Sequence, residues 1–327
     1  MKMRKLLLCT AAAVMSLGMT VSAGESGVTI GSLKGPTSMG LAYLMQKPVD
    51  RTWVYSFEMA TAADELTGKI INGELDVALV PANMASILYN KTDGNVKVID
   101  VNTLGVLYVV EGGETVQSVA DLAGKTIYLT GKGTTPDYVL QYLLEQNGLT
   151  TEDVTLEYKS EATEVVSALA TEEGAVGLLP QPFVTVATMK NENLRLALDL
   201  ADEWAKLQPE DGSSMVTGVT IARKDFLEGE DEFGEANEQM VQGFLEDHKE
   251  SVSYVNANLS EAAEMIAELG IVDSAAVAEA AIPYCNITCI TGEEMKTALE
   301  GYLQVLEDMD PASIGGSLPG EDFYYIP

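Results

Sequence analysis

Residues that bind zinc or form disulfides are scarce, since the 327-residue sequence has three cysteines and one histidine. One histidine is too few for most zinc sites, so we expect no metal and no cofactor. Cys9 falls within a leader segment described below, which leaves Cys285 and Cys289. Their spacing allows a disulfide in an exported protein, and two half-buried free thiols fit it equally well.

Basic residues are also few, with 19 Lys and Arg against 50 Asp and Glu, for a formal net charge of −31. Such a charge repels phosphate backbones and anionic membrane surfaces, so it argues against nucleic acid as a partner. We expect a monomer that its acidity keeps soluble. His248 lies in the acidic stretch 239–250, and we expect it to be a solvated surface residue.

Recognisable catalytic patterns are missing. The nucleophile elbow, the Walker A loop and the zinc-protease motif do not occur, and Gly131-Lys132-Gly133 lacks the glycine that a phosphate loop needs five residues earlier. Carboxylates are so abundant that pairing any two as acid and base would be arbitrary. The sequence therefore predicts a protein that binds without turnover, and not an enzyme.

Long apolar runs are confined to the first 23 residues. Lys2, Arg4 and Lys5 precede the apolar segment 6–17, and Val21-Ser22-Ala23 forms a small-residue cleavage site. This order predicts a signal peptide, cleaved near Ala23, and an exported protein that is periplasmic, surface-bound or extracellular. A membrane anchor would need a longer segment. Cys9 lies inside the apolar segment rather than after it, so no lipobox is evident.

What the sequence does contain is a repeated strand–loop–helix pattern. An apolar run from Val28 ends at Lys34-Gly35-Pro36-Thr37, and apolar residues at helical spacing follow to Met45. The segment 126–144 repeats this order around Lys132-Gly133-Thr134-Thr135. Downstream of each loop, a second apolar run ends at a proline, Pro81 in the first copy and Pro180 in the second. The repeat predicts two similar α/β lobes.

Each predicted lobe presents two strand-to-helix loops, and ligands of open α/β sheets bind where such loops meet. Thr37 or Ser38 can cap the first helix, and helix N-termini favour negative groups. Lys34 and Lys132 are candidates for positive potential. Trp53 and Tyr55 could form a flat wall of the site, and for Trp53 core packing in a strand is an equal alternative. The predicted ligand-binding residues are Lys34, Gly35, Pro36, Thr37, Ser38, Met39, Trp53, Tyr55, Pro81, Asn83, Thr130, Gly131, Gly133, Thr134, Thr135 and Gln181.

The order of apolar runs sets the expected domain boundaries. We place the crossing into the second lobe at Glu111-Gly112-Gly113, which interrupts a β-rich run. The β-branched segment 215–221 returns the chain to the first lobe. The remainder reads as mostly helical, with an apolar stripe of Met295, Leu299, Tyr302, Leu303 and Leu306. The tail 310–327 is expected to lie against the first lobe.

These segments resemble extracytoplasmic solute-binding proteins of ABC importers, in the branch that binds sulfonates, nitrate and thiamine-pyrimidine precursors. The resemblance is carried by LKGPTSMGLAYLM (33–45), GELDVALVPANMASILYNK (73–91), GKGTTPDYVLQYLLEQNGL (131–149), LLPQPFVTVA (178–187) and IGGSLPGEDFYY (314–325). It implies the type II periplasmic-binding-protein fold, with lobe one at 27–110 plus 215–327 and lobe two at 111–214. It also implies hinge strands at Leu104–Val110 and Met215–Ile221, and a helical C-terminal part on lobe one.

The resemblance further implies a function. A small polar or anionic organic solute, sulfonate-, nitrate- or pyrimidine-like, would be enclosed as the two lobes close, and the closed form would deliver it to a membrane permease. An enzyme acting on a metabolite precursor on the same scaffold is an alternative, and so is a ligand-sensing module for a surface receptor. The expected partners are thus a small molecule and an ABC transporter permease.

Overall fold

Two separate β-sheets form the framework of the protein. The computed structural model describes residues 27–172, 174–208, 213–231 and 233–327, so the predicted leader lies outside the described residues. The strands are β1 (Gly27–Leu33), β2 (Val54–Ala60), β3 (Val77–Pro81), β4 (Val96–Leu104), β5 (Leu107–Gly112), β6 (Thr126–Leu129), β7 (Thr155–Tyr158), β8 (Val176–Pro180), β9 (Leu194–Asp199), β10 (Val216–Arg223) and β11 (Ile287–Ile290).

Helices flank both sheets. They are α1 (Pro36–Met39), α2 (Ala42–Gln46), α3 (Ala63–Ile71), α4 (Ala82–Lys91), α5 (Thr135–Gln146), α6 (Ala162–Thr171), α7 (Phe183–Lys190), α8 (Leu200–Ala205), α9 (Lys224–Leu227), α10 (Asn237–Ala257), α11 (Leu259–Glu268), α12 (Ala275–Ala281) and α13 (Gly292–Met309), with short 3-10 turns at Val119–Leu122, Ile282–Tyr284, Pro311–Ile314 and Glu321–Phe323. None of the helices in the described part of the chain combines the length and apolarity that a bilayer span requires.

The first sheet has the order β11-β4-β10-β3-β1-β2, and the second has the order β7-β6-β8-β5-β9. In each sheet the buried apolar run, β3 or β8, is flanked by one parallel and one antiparallel neighbour. Uninterrupted apolar runs suit such central strands because helices cover both of their faces. The structure thus confirms the predicted fold class of two α/β lobes, and it shows that both sheets are mixed.

The chain crosses between the sheets earlier than the sequence suggests. We predicted a hinge strand at Leu104–Val110 and a crossing at Glu111–Gly113, but β5 pairs with β8 and β9 in the second sheet. The crossing therefore lies at Gly105 and Val106, between β4 and β5. A side chain at Gly105 would place its Cβ 2.7 Å from the Cβ of Ala201, so glycine permits this close passage. The chain returns to the first sheet as β10, which begins at Val216.

The helix predicted after the first loop is divided into α1 and α2 around Gly40. A Cβ on Gly40 would lie 3.1 Å from Val252 of α10 and 3.1 Å from Ile287 of β11. The hydroxyl of Ser251 donates to the Gly40 carbonyl at 2.6 Å and accepts from the Leu44 amide at 3.0 Å. Contact with α10 therefore sets the break, which the local sequence pattern does not reveal.

The C-terminal part packs on the first lobe and also reaches the second. All five residues of the predicted apolar stripe on α13 are buried, which confirms that it faces a core. One continuous cluster of buried side chains includes Tyr302 of α13, Val98 of the first sheet and Trp204 of the second lobe. In the tail, the Tyr325 amide donates to the Val98 carbonyl at 2.9 Å, as expected for a segment ordered against lobe one.

Candidate ligand-binding cleft

The four predicted loops lie at the edges of the two sheets that face the crossing. In the first sheet, Pro81 at the end of β3 pairs with Gly218 near the start of β10. In the second sheet, Leu107 at the start of β5 pairs with Pro180 at the end of β8. The crossing at Gly105 and Val106 joins these two edges directly. The carboxyl ends of the parallel strands in both lobes therefore border one cleft, the arrangement in which α/β proteins bind ligands.

The first loop is built around Gly35, which adopts φ 119° and precedes α1. We predicted that Thr37 or Ser38 caps this helix, but both lie inside it and donate their hydroxyls back to the Leu33 carbonyl. Ser38 is fully buried, and its hydroxyl oxygen can accept from the Ser32 hydroxyl, which lies 2.7 Å away. These hydrogen bonds from the Thr37 and Ser38 hydroxyls fix the conformation of the loop. Met39 is fully buried as well and belongs to the core.

Lys34 is the exposed residue of the first loop. Its ammonium lies 3.1 Å from a carboxylate oxygen of Asp273, whose side chain is 94% exposed. A pair so open to solvent contributes little to stability, about 0–1 kcal/mol. The Asp273 carboxylate nevertheless lies next to the Lys34 ammonium, the positive charge that the sequence suggested for ligand binding.

The second loop relies on two glycines in left-handed conformations, Gly131 with φ 75° and Gly133 with φ 69°. Thr134 donates its hydroxyl to the Gly131 carbonyl at 2.5 Å, and Thr135 begins α5. The Lys132 ammonium lies 5.2 Å from the centre of the Tyr158 ring, a cation–π distance. Thr130 joins β6 to this loop and is half-buried.

Beneath the second loop lies Asp137, a buried carboxylate in the first turn of α5. It accepts three hydrogen bonds, from the Gly133 amide at 2.8 Å, the Tyr158 hydroxyl at 2.8 Å and the Gln141 side chain at 2.7 Å. Burial, together with the bond to Asp137, raises the pKa of Tyr158, so its hydroxyl stays a donor well above neutral pH. Asp137 was not among the predicted site residues, although an acidic residue is favoured in a first helical turn.

The other two loops contribute side chains that are already engaged. Asn83, in the first turn of α4, donates to the Ser313 carbonyl at 3.1 Å and so anchors the C-terminal tail. The Gln181 side-chain oxygen is buried and accepts from the Thr185 hydroxyl at 2.9 Å. Both residues lie at the cleft edge. Asn83 holds the C-terminal tail against α4, and Gln181 stabilises the first turn of α7.

Two predicted residues lie elsewhere. Tyr55 and Trp53 pack against α10 on the outer side of the first sheet. The Tyr55 hydroxyl donates to Asp247 at 2.8 Å, and a Cβ on Gly243 would lie 2.5 Å from the Trp53 ring. The predicted flat wall of the cleft is therefore wrong for this pair, and the packing considered for Trp53 alone applies to both residues.

Polar residues that were not predicted as site residues lie at the edge of the first sheet that carries Pro81 and Gly218. Asn102 donates to the Thr220 hydroxyl at 3.2 Å and accepts from the Thr103 hydroxyl at 2.8 Å. A Cβ on Gly218 would lie 2.5 Å from the Asn102 side-chain oxygen and 2.7 Å from a methyl carbon of Thr37. The sequence does contain a sign of them: the polar residues of Asp-Val-Asn-Thr (100–103) fall near the end of a mostly apolar strand. Buried polar groups are costly unless they are paired.

This polar chain continues to the single histidine, which is not a surface residue as we predicted. His248 is fully buried, and its Nδ1 lies 3.1 Å from Asp100, which in turn accepts from Thr220 at 2.8 Å. Together with Cys289, these two place metal-ligating atoms within 4.8 Å of one another. It is the group in the described residues with the chemistry to hold a cation, and it lies inside the first lobe.

The cysteines are free thiols. Burial raises the pKa of Cys285 to about 12, and burial with the nearby Asp100 charge raises that of Cys289. Of the two arrangements that the spacing allowed, the structure has the unpaired one. Neither thiol is activated as a nucleophile, because the thiolate is disfavoured.

Two hydrogen bonds join the second lobe to the C-terminal part of the chain. The Tyr138 hydroxyl of α5 donates to Asp310 at 2.8 Å, and burial with this bond raises the pKa of Tyr138 to about 12. The Tyr108 hydroxyl of β5 donates to the Tyr284 carbonyl at 2.6 Å. A cavity of about 720 Å³ lies at the opposite edge of the second sheet, lined by residues such as Gly113 and Asn193, and is remote from these loops.

Comparison with known proteins places these features in a family. The model of the phosphonate ABC-transporter periplasmic substrate-binding proteins matches residues 41–206, just over half of the chain. No curated protein matches significantly.

Solved structures share the fold. An ABC transporter protein from Parabacteroides distasonis is 24% identical, with a TM-score of 0.76 over 92% of this chain and 99% of that one. The aliphatic sulphonate binding protein SsuA from Escherichia coli is 16% identical, with a TM-score of 0.69 over 92% of both chains. The alkanesulfonate-binding SsuA from Xanthomonas axonopodis, bound to MOPS, is 15% identical, with a TM-score of 0.63 over 94% and 100%. The chain belongs to the family of periplasmic substrate-binding proteins of ABC transporters.

Proposed function

We propose that this protein binds a small polar organic solute in the cleft between its two lobes and delivers it to an ABC transporter permease. The observation that carries the proposal is the convergence of four strand-to-helix loops, two from each sheet, on the edges joined by Gly105 and Val106. The loops around Gly35, Pro81, Gly131 and Gln181 would line the cleft.

Closure would require the two lobes to rotate about the crossings. The β4–β5 crossing is short, and the second lies between Ala205 and Val216. The hydrogen bonds of Tyr138 with Asp310 and of Tyr108 with Tyr284 join the lobes near the cleft, so they would set how far the lobes open. A bound solute would shift the population toward the closed form by its differential affinity for that form.

Export and the absence of turnover belong to the same proposal. We propose that the leader is removed near Ala23, which the mass of the exported protein would test. The loop hydroxyls and amides bind by hydrogen bonding, and the two thiols with raised pKa values offer no nucleophile. A solute recovered chemically unchanged after long incubation supports binding, whereas a converted product would favour an enzyme.

The direct experiment is native mass spectrometry of the exported protein, purified without unfolding. We expect a mass excess corresponding to one small molecule, which disappears when the protein is unfolded. Thermal shift against sulfonates, nitrate, pyrimidines and related metabolites provides a second measure. A protein that carries no solute and is stabilised by none of these compounds would contradict the proposal.

A further inference from the structure

Three metal-ligating side chains meet inside the first lobe, between its sheet and α10. Asp100 on β4 and His248 on α10 are both fully buried, and the Asp100 carboxylate lies 3.1 Å from Nδ1 of the imidazole. Cys289 on β11 completes the cluster, and the three ligand atoms lie within 4.8 Å of one another. Three elements distant in sequence thus bring a carboxylate, an imidazole and a thiol together.

The spacing of these atoms is close to that of a zinc site. Zinc binds nitrogen and oxygen at about 2.0–2.2 Å and sulfur at about 2.3 Å, so the donors around one tetrahedral ion lie roughly 3.3–3.8 Å apart. Asp100 and His248 are already this close. A shift of about 1 Å would bring the thiol of Cys289 to the same separation. Cys289 can make this shift because its side chain is only half-buried and lies on β11, the edge strand.

Neighbouring groups hold two of the ligands in the orientation that a metal ion needs. One carboxylate oxygen of Asp100 accepts from the Thr220 hydroxyl at 2.8 Å, and the other faces the imidazole. The His248 ring stacks on Phe244, with ring centroids 5.5 Å apart, and this contact limits its rotation. Outer partners of this kind set ligand geometry in metal sites.

The donor set selects the kind of ion. Imidazole and thiolate ligands favour zinc and related transition metals, whereas magnesium and calcium prefer sites made of oxygen donors. A divalent ion held by one carboxylate, one thiolate and one neutral imidazole forms a site without net charge, which suits a buried position. The thiol releases its proton when it binds the ion, and the fourth coordination position is left to water.

We infer that Asp100, His248 and Cys289 bind one zinc ion, which joins α10 and β11 to β4 within the first lobe. The single histidine, from which we expected no metal, is then one ligand of a mixed site. The start of β11 adjoins the crossing between the lobes, because the Leu104 amide donates to the Asn286 carbonyl at 3.1 Å. A bound ion therefore stabilises the part of the first lobe that supports the crossing.

The test is a titration of the exported protein, first stripped with a chelator and kept in a non-thiol reductant. Zinc is the first probe, and cobalt is its spectroscopic substitute. Wild type should bind one zinc ion per chain with micromolar affinity or tighter. Its cobalt complex should show the visible bands of a tetrahedral ion and a thiolate-to-cobalt charge-transfer band.

Variants assign the ligands. Cys289→Ala should weaken zinc binding by roughly a hundredfold or more and abolish the charge-transfer band. Asp100→Asn, which keeps the shape of the side chain, should weaken zinc binding by a similar factor. Cys285→Ala is the matched control, because it removes the other buried thiol and leaves the cluster intact. Saturating zinc should raise the urea midpoint of wild type and of Cys285→Ala, but not that of Cys289→Ala.

Three results would overturn the inference. The first is zinc binding no tighter than millimolar, since exposed carboxylates alone can bind divalent ions that weakly. The second is a cobalt complex without the thiolate band. The third is an equal affinity for zinc in wild type and Cys289→Ala, or an equal loss of affinity in Cys285→Ala. None of these results depends on whether the cleft binds a solute.

Discussion

Removing the Asp137 side chain tests whether this carboxylate organises the second loop. Three donors, the Gly133 amide, the Tyr158 hydroxyl and the Gln141 amide, bond to it at 2.7 to 2.8 Å. Hydrogen bonds to a charged group contribute about 1.5–3 kcal/mol each, and donors that regain water recover part of that. Because Gly133 is exposed and the other two are half-buried, we expect Asp137→Ala to lower the free energy of unfolding by about 3 kcal/mol.

Two milder substitutions should lower the free energy of unfolding by smaller amounts. Asp137→Asn keeps an acceptor and should cost about 1–2 kcal/mol, and Tyr158→Phe removes one donor and should cost about 1 kcal/mol. The effects should be less than additive because the groups share one network. Urea unfolding followed by the fluorescence of Trp204, whose ring lies 4.8 Å from that of Tyr142 on α5, measures these changes.

Hydrogen exchange of the Gly133 amide provides a local readout. Its bond to Asp137 should protect it in wild type and in Tyr158→Phe, and Asp137→Ala should abolish the protection. The reasoning is refuted if Asp137→Ala unfolds within about 0.5 kcal/mol of wild type, the usual range of surface substitutions. It is also refuted if exchange at Gly133 is the same in both proteins.

Three further predictions concern other parts of the molecule. Burial alone would raise the pKa of Glu111, but hydrogen bonds from Val116, Thr115 and Arg195 outweigh it and lower the pKa. Because a lowered carboxyl pKa stabilises the folded state only while the group is ionised, wild type should lose more stability than Glu111→Gln between pH 6 and pH 3, as measured by urea midpoints. Trp204→Ala, at a fully buried position in the core shared by the lobes, should cost about 3–5 kcal/mol in urea unfolding, and a loss below 1 kcal/mol would contradict that packing. The two thiols should react with a thiol-specific dye only after unfolding, since burial raises both pKa values, and rapid labelling of the native protein would be inconsistent with the structure.

Local patterns were enough to predict the framework. The apolar runs before Pro81 and Pro180 became β3 and β8, the central strands of the two sheets. The Gly-rich loops followed by amphipathic segments became the turns into α1 and α5. These features follow from neighbouring residues, because a strand that ends at a glycine loop and precedes a helix is encoded within about twenty residues.

Pairing between distant residues could not be predicted in the same way. The runs 96–104 and 107–112 both read as strands, but Leu107 joins the second sheet because it pairs with Pro180. Trp53 and Tyr55 left the predicted site because α10, some 190 residues later, covers their strand. His248 is buried because Asp100, 148 residues away, provides its partner.

The candidate site shows the same limit on a smaller scale. Its loops were predicted from the sequence, whereas the electrostatic character of the cleft was not. Lys34 and Lys132 suggested an anionic ligand, and their partners Asp273 and Tyr158 became evident only in three dimensions. The first turn of α5 offered Asp137 as a clue, yet its bond to Gly133 depends on the turn formed by two left-handed glycines.

The central claim, that one solute is held between the two lobes, is tested most directly by a distance across the cleft. Spin labels at Glu65→Cys on α3 and Thr163→Cys on α6, both exposed positions near the starts of their helices, would report it by electron–electron resonance. The protein as purified, carrying its solute, should give a shorter and narrower distance distribution than protein stripped by unfolding, dialysis and refolding. Identical distributions for the loaded and stripped protein would contradict the claim.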